Sequence, residues 1–193
     1  MGYENRHHRR KQPQGATSTR LAEYAERIIG QKGHQVSMFD LYRTPSPFYS
    51  PDEAFREEAA LAELKKRMRE ADAVILATPE YHGSISGVLK NALDHLSQEH
   101  FSGKPVLSIS SAGGSVGVSS LQRLQAIVRN LHGINCPEWM SIGGAQRKWF
   151  ESAQDIYEVG QEVDDRIHRV LGAFLELARL IRGGAGAAAS PSA

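Results

Sequence analysis

Residues 73–97 read AVILATPEYHGSISGVLKNALDHLS, which places an apolar run, a short polar loop and an amphipathic segment in succession. The apolar run at 73–77 is typical of a parallel strand covered on both faces. Pro79 ends that strand, Gly83 turns the chain, and a helix opens near Ser84 and extends over about 85–97. This stretch predicts one strand–loop–helix unit of an α/β fold with a parallel sheet.

The same alternation continues on both sides. Thr17 or Ser18 is predicted to cap a first helix that Gly30 and Gly33 end. The further predicted elements are a strand at about 35–41, an ordered loop at 42–53, a helix at about 53–70, a strand at 104–110, a helix at about 117–132, a strand within 134–142 and a helix near 160–182. Strands that alternate with helices predict a doubly wound parallel sheet with helices on both faces.

Length, composition and charge limit the class of protein. The chain has 193 residues, of which 40% are hydrophobic, as expected of one domain with a real core. No apolar run approaches the roughly 20 residues that a bilayer requires, and the single cysteine, Cys136, excludes an internal disulfide framework. A formal charge of +1 gives no reason to expect a nucleic acid or a membrane as partner. We therefore expect a cytoplasmic protein.

Ligands of doubly wound sheets bind beyond the carboxyl ends of the strands, so the loops at that edge hold the candidate site. In the first loop Tyr81 offers a flat apolar face, and Glu80 and His82 can make polar contacts at its rim, which suits a planar heteroaromatic ligand. The full set in this loop is Pro79, Glu80, Tyr81, His82, Gly83 and Ser84.

Two more loops complete the candidate site. The small residues of the second loop let the backbone approach a flat ring closely, although its glycines could also form only a turn. This loop consists of Ser111, Ala112, Gly113 and Gly114. The third loop offers hydroxyls, amides and a guanidinium at a helix N-terminus, which suits a phosphate. Such hydroxyls are, however, more often plain helix caps. This loop consists of Thr17, Ser18, Thr19 and Arg20.

The sequence PEY, followed by a polar residue, Gly, Ser and then GVLKNALD, resembles the NADPH-dependent FMN reductase family of flavodoxin-like proteins. That family includes azobenzene, quinone and chromate reductases. The similarity extends from about Gly15 to Gly144, and residues 97–144 are most similar to the bacterial azobenzene reductase branch. The resemblance implies a flavodoxin-like doubly wound sheet of five parallel strands in the order 2-1-3-4-5.

The resemblance also implies an activity. Electrons would pass from NADPH or NADH through bound FMN to a small acceptor such as an azo compound, a quinone, free flavin or a metal oxyanion. The first two loops would hold the isoalloxazine, with His82 where Asn is more usual, and the third would hold the phosphate. The flavin would carry the chemistry, so we expect no catalytic side chain and no metal. The alternatives are a non-enzymatic flavodoxin-type electron carrier and, more distantly, a nucleic-acid-binding protein that uses the basic first eleven residues.

A homodimer or homotetramer is also implied by the resemblance. The predicted helix at 85–97 carries an apolar stripe wider than one sheet face needs, so part of it should meet another subunit. The stripe consists of Ile85, Val88, Leu89, Ala92, Leu93 and Leu96.

Residues 1–14 do not fit the fold predicted for 15–182. A buried strand should precede the first helix, but residues 3–14 contain no Val, Ile, Leu or Phe and include HHRRK at 7–11. Moving the reading frame by one base permits Met-Lys-Ile-Val-Ile-Ile-Ala-Gly-Ser-Asn-Arg-Lys, a strand followed by the family's G-S-x-R loop. We interpret the segment as an out-of-frame reading of the first strand. Residues 183–193 are predicted to be a disordered tail.

Overall fold

The computed structural model describes residues 16–52, 58–151 and 157–188. The elements in chain order are α1 (Thr17–Gln31), α2 (Ala59–Glu70), β1 (Val74–Pro79), α3 (Gly87–Asp94), α4 (Gln98–Phe101), β2 (Pro105–Ser111), α5 (Val118–Asn130), β3 (Ile134–Asn135), β4 (Met140–Ile142), the 3₁₀ helix η1 (Gly144–Phe150) and α6 (Gln161–Ala188). None of the helices in these ranges is long and apolar enough to cross a membrane.

Strand β2 lies at the centre of a parallel sheet. It pairs with β1, from Val74 opposite Val106 to Pro79 opposite Ser111, and it also pairs with β3 and β4. Every residue of β2 is buried, as expected of a strand covered on both faces. The predicted α/β class with a parallel sheet is confirmed.

Helices cover both faces of this sheet. On one face α1 and α6 pack against Leu107 and Ile109 of β2, and on the other α2, α3 and α5 pack against Val106 and against Leu76 of β1. Each large apolar side chain buried in this way stabilises the fold by about 1.5–3 kcal/mol. Both clusters are continuous across several elements, so the strands that lead to the candidate site are packed on both faces.

The sheet differs from the predicted one in two strands. The predicted strand at 35–41 is wrong, because residues 34–40 form no strand in the structure. A strand requires a paired neighbour, and the predicted neighbour, drawn from residues 3–14, lies outside the described residues. The predicted last strand within 134–142 is divided into β3 and β4, since Pro137 in the interval has no N–H to donate to a ladder. Among the described residues the strands lie in the order β1, β2 and then β3 with β4, and the full order of five strands stays a prediction.

Helix boundaries differ at several ends. The predicted helix at 85–97 is two helices, because Ser97 begins α4 with a capping box in which the Ser97 N–H donates to His100 Nδ1 at 3.0 Å. Helix α2 begins at Ala59 after an extended Glu58, and the predicted start at 53 lies outside the described residues. Helix α6 continues beyond the predicted end at 182 to Ala188, so residues 183–188 are helical and not a disordered tail. An established helix adds one hydrogen bond for each residue by which it extends.

Helix α1 ends as the sequence predicts, but it begins differently. Its N-cap is Ala16, so Thr17 and Ser18 are buried residues of the first turn and not caps. At its end Gly33 has a φ of +84°, while the Gly33 N–H donates to Gly30 O and the His34 N–H to Ile29 O. This is a Schellman motif, in which glycine adopts the left-handed conformation without strain.

The loop at 42–52 lies against α3. The Asn91 Nδ2 donates to Pro47 O at 2.8 Å and the Asn91 Oδ1 accepts from the Tyr49 N–H at 2.9 Å. His95 Nε2 lies 2.8 Å from the same Pro47 carbonyl, and the His95 ring contacts the Tyr49 ring edge-on. We call these four residues the α3 clamp.

The apolar stripe of α3 is used within the chain. Of its six residues, five are buried against the sheet and neighbouring helices, and only Val88 is exposed, at 53%. Most of the stripe is therefore accounted for by the inner face of the fold, and the expectation that part of it meets another subunit stays a prediction that concerns Val88.

Candidate active site

Two loops of the candidate site meet because the strands before them end in register. Pro79 at the end of β1 lies opposite Ser111 at the end of β2, and Ser111 in turn lies opposite Ile142 of β4. The Glu80 N–H donates to Ser111 O at 2.7 Å, and the Ala112 N–H donates to Ile142 O at 2.9 Å. The carboxyl ends of three strands thus form one edge, where parallel sheets bind ligands.

The first loop is a tight turn. Tyr81 and Ser84 exchange two backbone hydrogen bonds of 3.0 Å, and the two residues between them have positive φ, +51° for His82 and +70° for Gly83. This is the geometry of a type I′ turn, in which Asn-Gly is the preferred pair. The turn leaves the side chain of Tyr81 58% exposed, so its ring can contact a ligand.

The helix after this turn begins later than predicted. Helix α3 opens at Gly87 and not near Ser84, because Ser86 is the N-cap and its Oγ accepts from the Leu89 N–H at 3.3 Å. Ser84 is instead occupied by the turn, with both its N–H and its carbonyl bonded to Tyr81. The first loop therefore ends in a closed turn and not in free helix amides.

Glu80 joins the first loop to helix α5, which follows the second loop. Its Oε2 accepts from the Ser120 N–H in the first turn of α5 at 2.8 Å, and α5 has no side-chain cap of its own. A carboxylate at a helix N-terminus stabilises the helix. Sequence inspection missed this role, because the two residues are brought together only by the register of β1 and β2.

The second loop is packed at its ends and open in the middle. Gly143 lies so close to it that a Cβ there would be 2.3 Å from Gly114 O, and the Gly117 N–H donates to Ser141 Oγ at 2.7 Å. Gly113 and Gly114 are exposed, and a Cβ on Gly114 would meet no atom within 4 Å. The surface of the loop at these two glycines is therefore accessible to a flat ring.

The 3₁₀ helix η1 lies against the second loop. The Gly144 N–H donates to Gly114 O at 2.7 Å, and a Cβ on Gly113 would lie 4.0 Å from the Arg147 guanidinium. Residues 144–150 have no clear periodicity, so the sequence predicts no element there and gives no signal that Arg147 lies at this edge.

The third loop lies at the N-terminus of α1, which packs against β1, β2 and η1. Thr17 and Ser18 are buried and Thr19 is half-buried. The Arg20 guanidinium forms an ion pair with Glu23 at 3.1 Å, while its buried Nε has no hydrogen-bond partner among the described residues. No hydrogen bond joins these four residues to the other two loops within the described part of the chain.

Comparison with known proteins decides the family. Residues 12–147, more than half of the chain, match the family described as NADPH-dependent FMN reductase. The chain belongs to this family. The prediction of an FMN-dependent NAD(P)H oxidoreductase is confirmed at the level of the family.

Named relatives lie on the azoreductase side of the family, as the sequence predicts. The chain is 40% identical over 129 residues to the FMN-dependent NADPH-azoreductase of Staphylococcus saprophyticus. The match covers 64% of this chain and 68% of that protein. It is 51% identical over 77 residues to the FMN-dependent NADPH-azoreductase of Staphylococcus aureus, or 40% of this chain and 41% of that protein.

Solved structures share the fold. One is the flavoenzyme NAD(P)H:(acceptor) oxidoreductase FerB from Paracoccus denitrificans, with a TM-score of 0.64 and 18% identity, covering 85% of this chain and 90% of that chain. Another is the apo form of an NADH:FMN oxidoreductase, with a TM-score of 0.60 and 24% identity. The match covers 83% of this chain and 81% of that chain. At these identities the likeness establishes the flavodoxin-like fold and no more.

The residues present fit FMN. Gly113 and Gly114 leave open a surface that a side chain would fill, and Tyr81 offers an exposed ring at the same sheet edge. The unpartnered Nε of Arg20 is a buried donor that a phosphate oxygen would satisfy. No group of three or more His, Cys, Asp or Glu residues that could hold a metal ion occurs in the ranges that the structure describes.

Proposed function

We propose that this chain transfers electrons from NADPH or NADH to a small acceptor through FMN bound at the carboxyl edge of the sheet. The observation that supports it most directly is the register of β1 and β2, which sets the exposed Tyr81 turn beside the open glycines of the second loop. When bound, the flavin supplies the hydride-accepting chemistry. The protein binds it, orients it and shapes the face that the donor and the acceptor occupy in turn.

Each loop has a proposed part in binding. The first, from Pro79 to Ser84, contacts the ring through Tyr81 and the backbone, while Glu80 keeps that loop attached to α5. The second, from Ser111 to Gly114, lies flat against the isoalloxazine. The third, from Thr17 to Arg20, holds the phosphate at the N-terminus of α1. Arg20 would exchange part of its contact with Glu23 for a phosphate oxygen.

The binding of FMN can be tested at Gly114. A Gly114→Leu substitution places its side chain in open space, so the fold should be kept while the surface for the ring is blocked. We expect FMN to bind at least about tenfold more weakly, as measured by quenching of flavin fluorescence. The matched control is Gly30→Leu on α1, where a Cβ also meets nothing within 4 Å. Equal FMN affinity in the Gly114 variant and the control would contradict the proposed site.

Catalysis can be tested with the FMN-loaded protein. Steady oxidation of NADPH or NADH in the presence of an azo dye, a quinone, free flavin or chromate distinguishes an enzyme from a flavodoxin-type carrier, and it identifies the acceptor. A flavin spectrum without any such turnover would favour the carrier.

We also propose a homodimer or homotetramer and a cytoplasmic location. The assembly rests on the family resemblance, since the apolar stripe of α3 is used within the chain. The location rests on the supply of NAD(P)H and on the single, buried Cys136. Sedimentation at micromolar concentration tests the assembly, and a monomer there would contradict it.

A further inference from the structure

Arg147 holds a positive charge at the edge of the second loop. Its guanidinium lies 4.0 Å from the position that a Cβ on Gly113 would take, and the side chain is half-buried. Among the described residues it has no hydrogen-bond or ion-pair partner. By contrast, Arg166 on α6 is bonded to Ser141 O and to Gln146 Oε1. A half-buried cation without a balancing group suits an anionic ligand.

The backbone of η1, which carries Arg147, is packed against the second loop. Gly144 donates its N–H to Gly114 O at 2.7 Å, and the close approach of Gly143 to Gly114 and Ser115 leaves no room between η1 and the loop. The guanidinium of Arg147 therefore lies beside Gly113, one of the two glycines that form the open surface for the ring. Its charge lies at the edge of that surface and not at the N-terminus of α1.

We propose that Arg147 binds the pyrimidine edge of FMN and favours the reduced over the oxidised flavin. This inference rests on the proposed function. Oxidised FMN has a neutral ring, whereas the two-electron-reduced ring carries a negative charge shared between N1 and the C2 oxygen. A guanidinium next to that edge stabilises the charged ring more than the neutral one, because the Coulomb attraction exists only for the former. Arg147 thus raises the reduction potential of the bound cofactor.

The experiment is a reductive titration of FMN bound to four proteins: the wild-type chain, Arg147→Gln, Arg147→Lys and Arg129→Gln. Arg129 lies on the exposed last turn of α5, so its variant controls for the loss of one positive charge. We expect Arg147→Gln to bind reduced FMN about tenfold more weakly relative to oxidised FMN, which lowers the potential by about 30 mV for a two-electron couple. The Lys variant and the Arg129 control should remain near the wild-type potential.

Two results would overturn the inference. One is a reduction potential of FMN bound to Arg147→Gln that equals that of the Arg129→Gln control, with no change in KM for either donor. The other is an unchanged potential with a raised KM for NADPH but not for NADH, which would assign Arg147 to the 2′-phosphate of the donor. If Arg147→Gln loses its circular dichroism signal, Arg147→Met removes the charge with a more apolar side chain and is read in the same way. A wild-type chain that binds no FMN would overturn the proposed function as well, so the two failures are distinguishable.

Discussion

His82 occupies a backbone conformation that most side chains avoid. With φ at +51° it is the first residue of the type I′ turn, and Gly83 follows at +70°. Asparagine followed by glycine is the preferred pair of a type I′ turn, whereas alanine at the glycine position carries a steric cost. The backbone conformation of His82 therefore costs some stability, and it places an imidazole at the rim of the site.

We expect His82→Asn to raise the free energy of unfolding by about 0.5 kcal/mol and Gly83→Ala to lower it by about 1 kcal/mol. Urea denaturation measures both. Gly87→Ala is the control, because Gly87 lies in α3 and a Cβ there meets nothing within 4 Å. A loss of stability in His82→Asn would mean that the imidazole makes a stabilising contact which outweighs the cost of its backbone conformation.

Glu80 is the residue whose replacement should disturb both the first loop and helix α5. Glu80→Ala leaves the Ser120 N–H without its acceptor and should lower the free energy of unfolding by about 1–2 kcal/mol. Glu80→Gln keeps an oxygen acceptor and should lose less. Urea denaturation of both variants, with Glu70→Ala at the exposed end of α2 as control, tests this. Equal stability of Glu80→Ala and the control would show that Glu80 does not cap α5.

The sequence identified the residues of the first two loops because Pro, Gly and Tyr directly after an apolar strand are local signals. It could not identify what those residues touch. The bond from Glu80 to Ser120 and the position of Arg147 beside Gly113 depend on strand register and on an unpredicted 3₁₀ helix. Contacts between loops are non-local, and residue periodicity carries no information about them.

At the scale of an element, α4 shows how one side chain divides a predicted helix. The His100 Nδ1 accepts the Ser97 N–H, which requires a neutral ring with its proton on Nε2, 3.4 Å from Glu99 Oε1. Burial lowers the pKa of His100, although Glu99 partly opposes this. The fold therefore favours the neutral ring, and the unfolded chain takes up the proton more readily.

We expect the free energy of unfolding to fall as the pH drops below about 6.5, the ordinary histidine pKa. The sign follows from the lowered pKa, since the stabilisation exists above the unfolded pKa and is lost as the buried ring is protonated. Unfolding measured between pH 7.5 and 5.5 should show a smaller pH dependence in His100→Gln than in His34→Gln, whose His34 is exposed. Equal pH dependence in the two variants would contradict the role of His100.

Element boundaries were predictable where local chemistry sets them and not where tertiary contacts do. Gly33 ends α1 close to where the sequence indicates. By contrast, the strand at 35–41 was expected from its residues alone, yet a strand exists only with a partner. The division of the last strand at Pro137 and the new start of α4 at Ser97 are local features that the apolar pattern concealed.

At the scale of the whole molecule, the prediction concerns the central strand. Residues 3–14 lie outside the described residues, so their interpretation as an out-of-frame segment stays a prediction. Replacing them with Met-Lys-Ile-Val-Ile-Ile-Ala-Gly-Ser-Asn-Arg-Lys should raise both the stability of the protein and its affinity for FMN. The reason is that this peptide provides a buried strand and a phosphate loop.

Thermal unfolding and FMN titration of the two proteins measure this effect, and resequencing the start of the gene tests the frame directly. A replacement that changes neither property, together with a confirmed reading frame, would show that the interpretation is wrong.

The α3 clamp also has a consequence for how the molecule opens. The Tyr49 amide is bonded to a helix side chain, Asn91, and not to a neighbouring strand. Its exchange with deuterated solvent should therefore follow the local opening of α3, although the loop precedes that helix by some forty residues. Phe48 lies between Pro47 and Tyr49 of the clamp and is 89% exposed. It would be a cleavage site for chymotrypsin only while the clamp is released. Limited proteolysis would then report on α3 before the rest of the sheet unfolds.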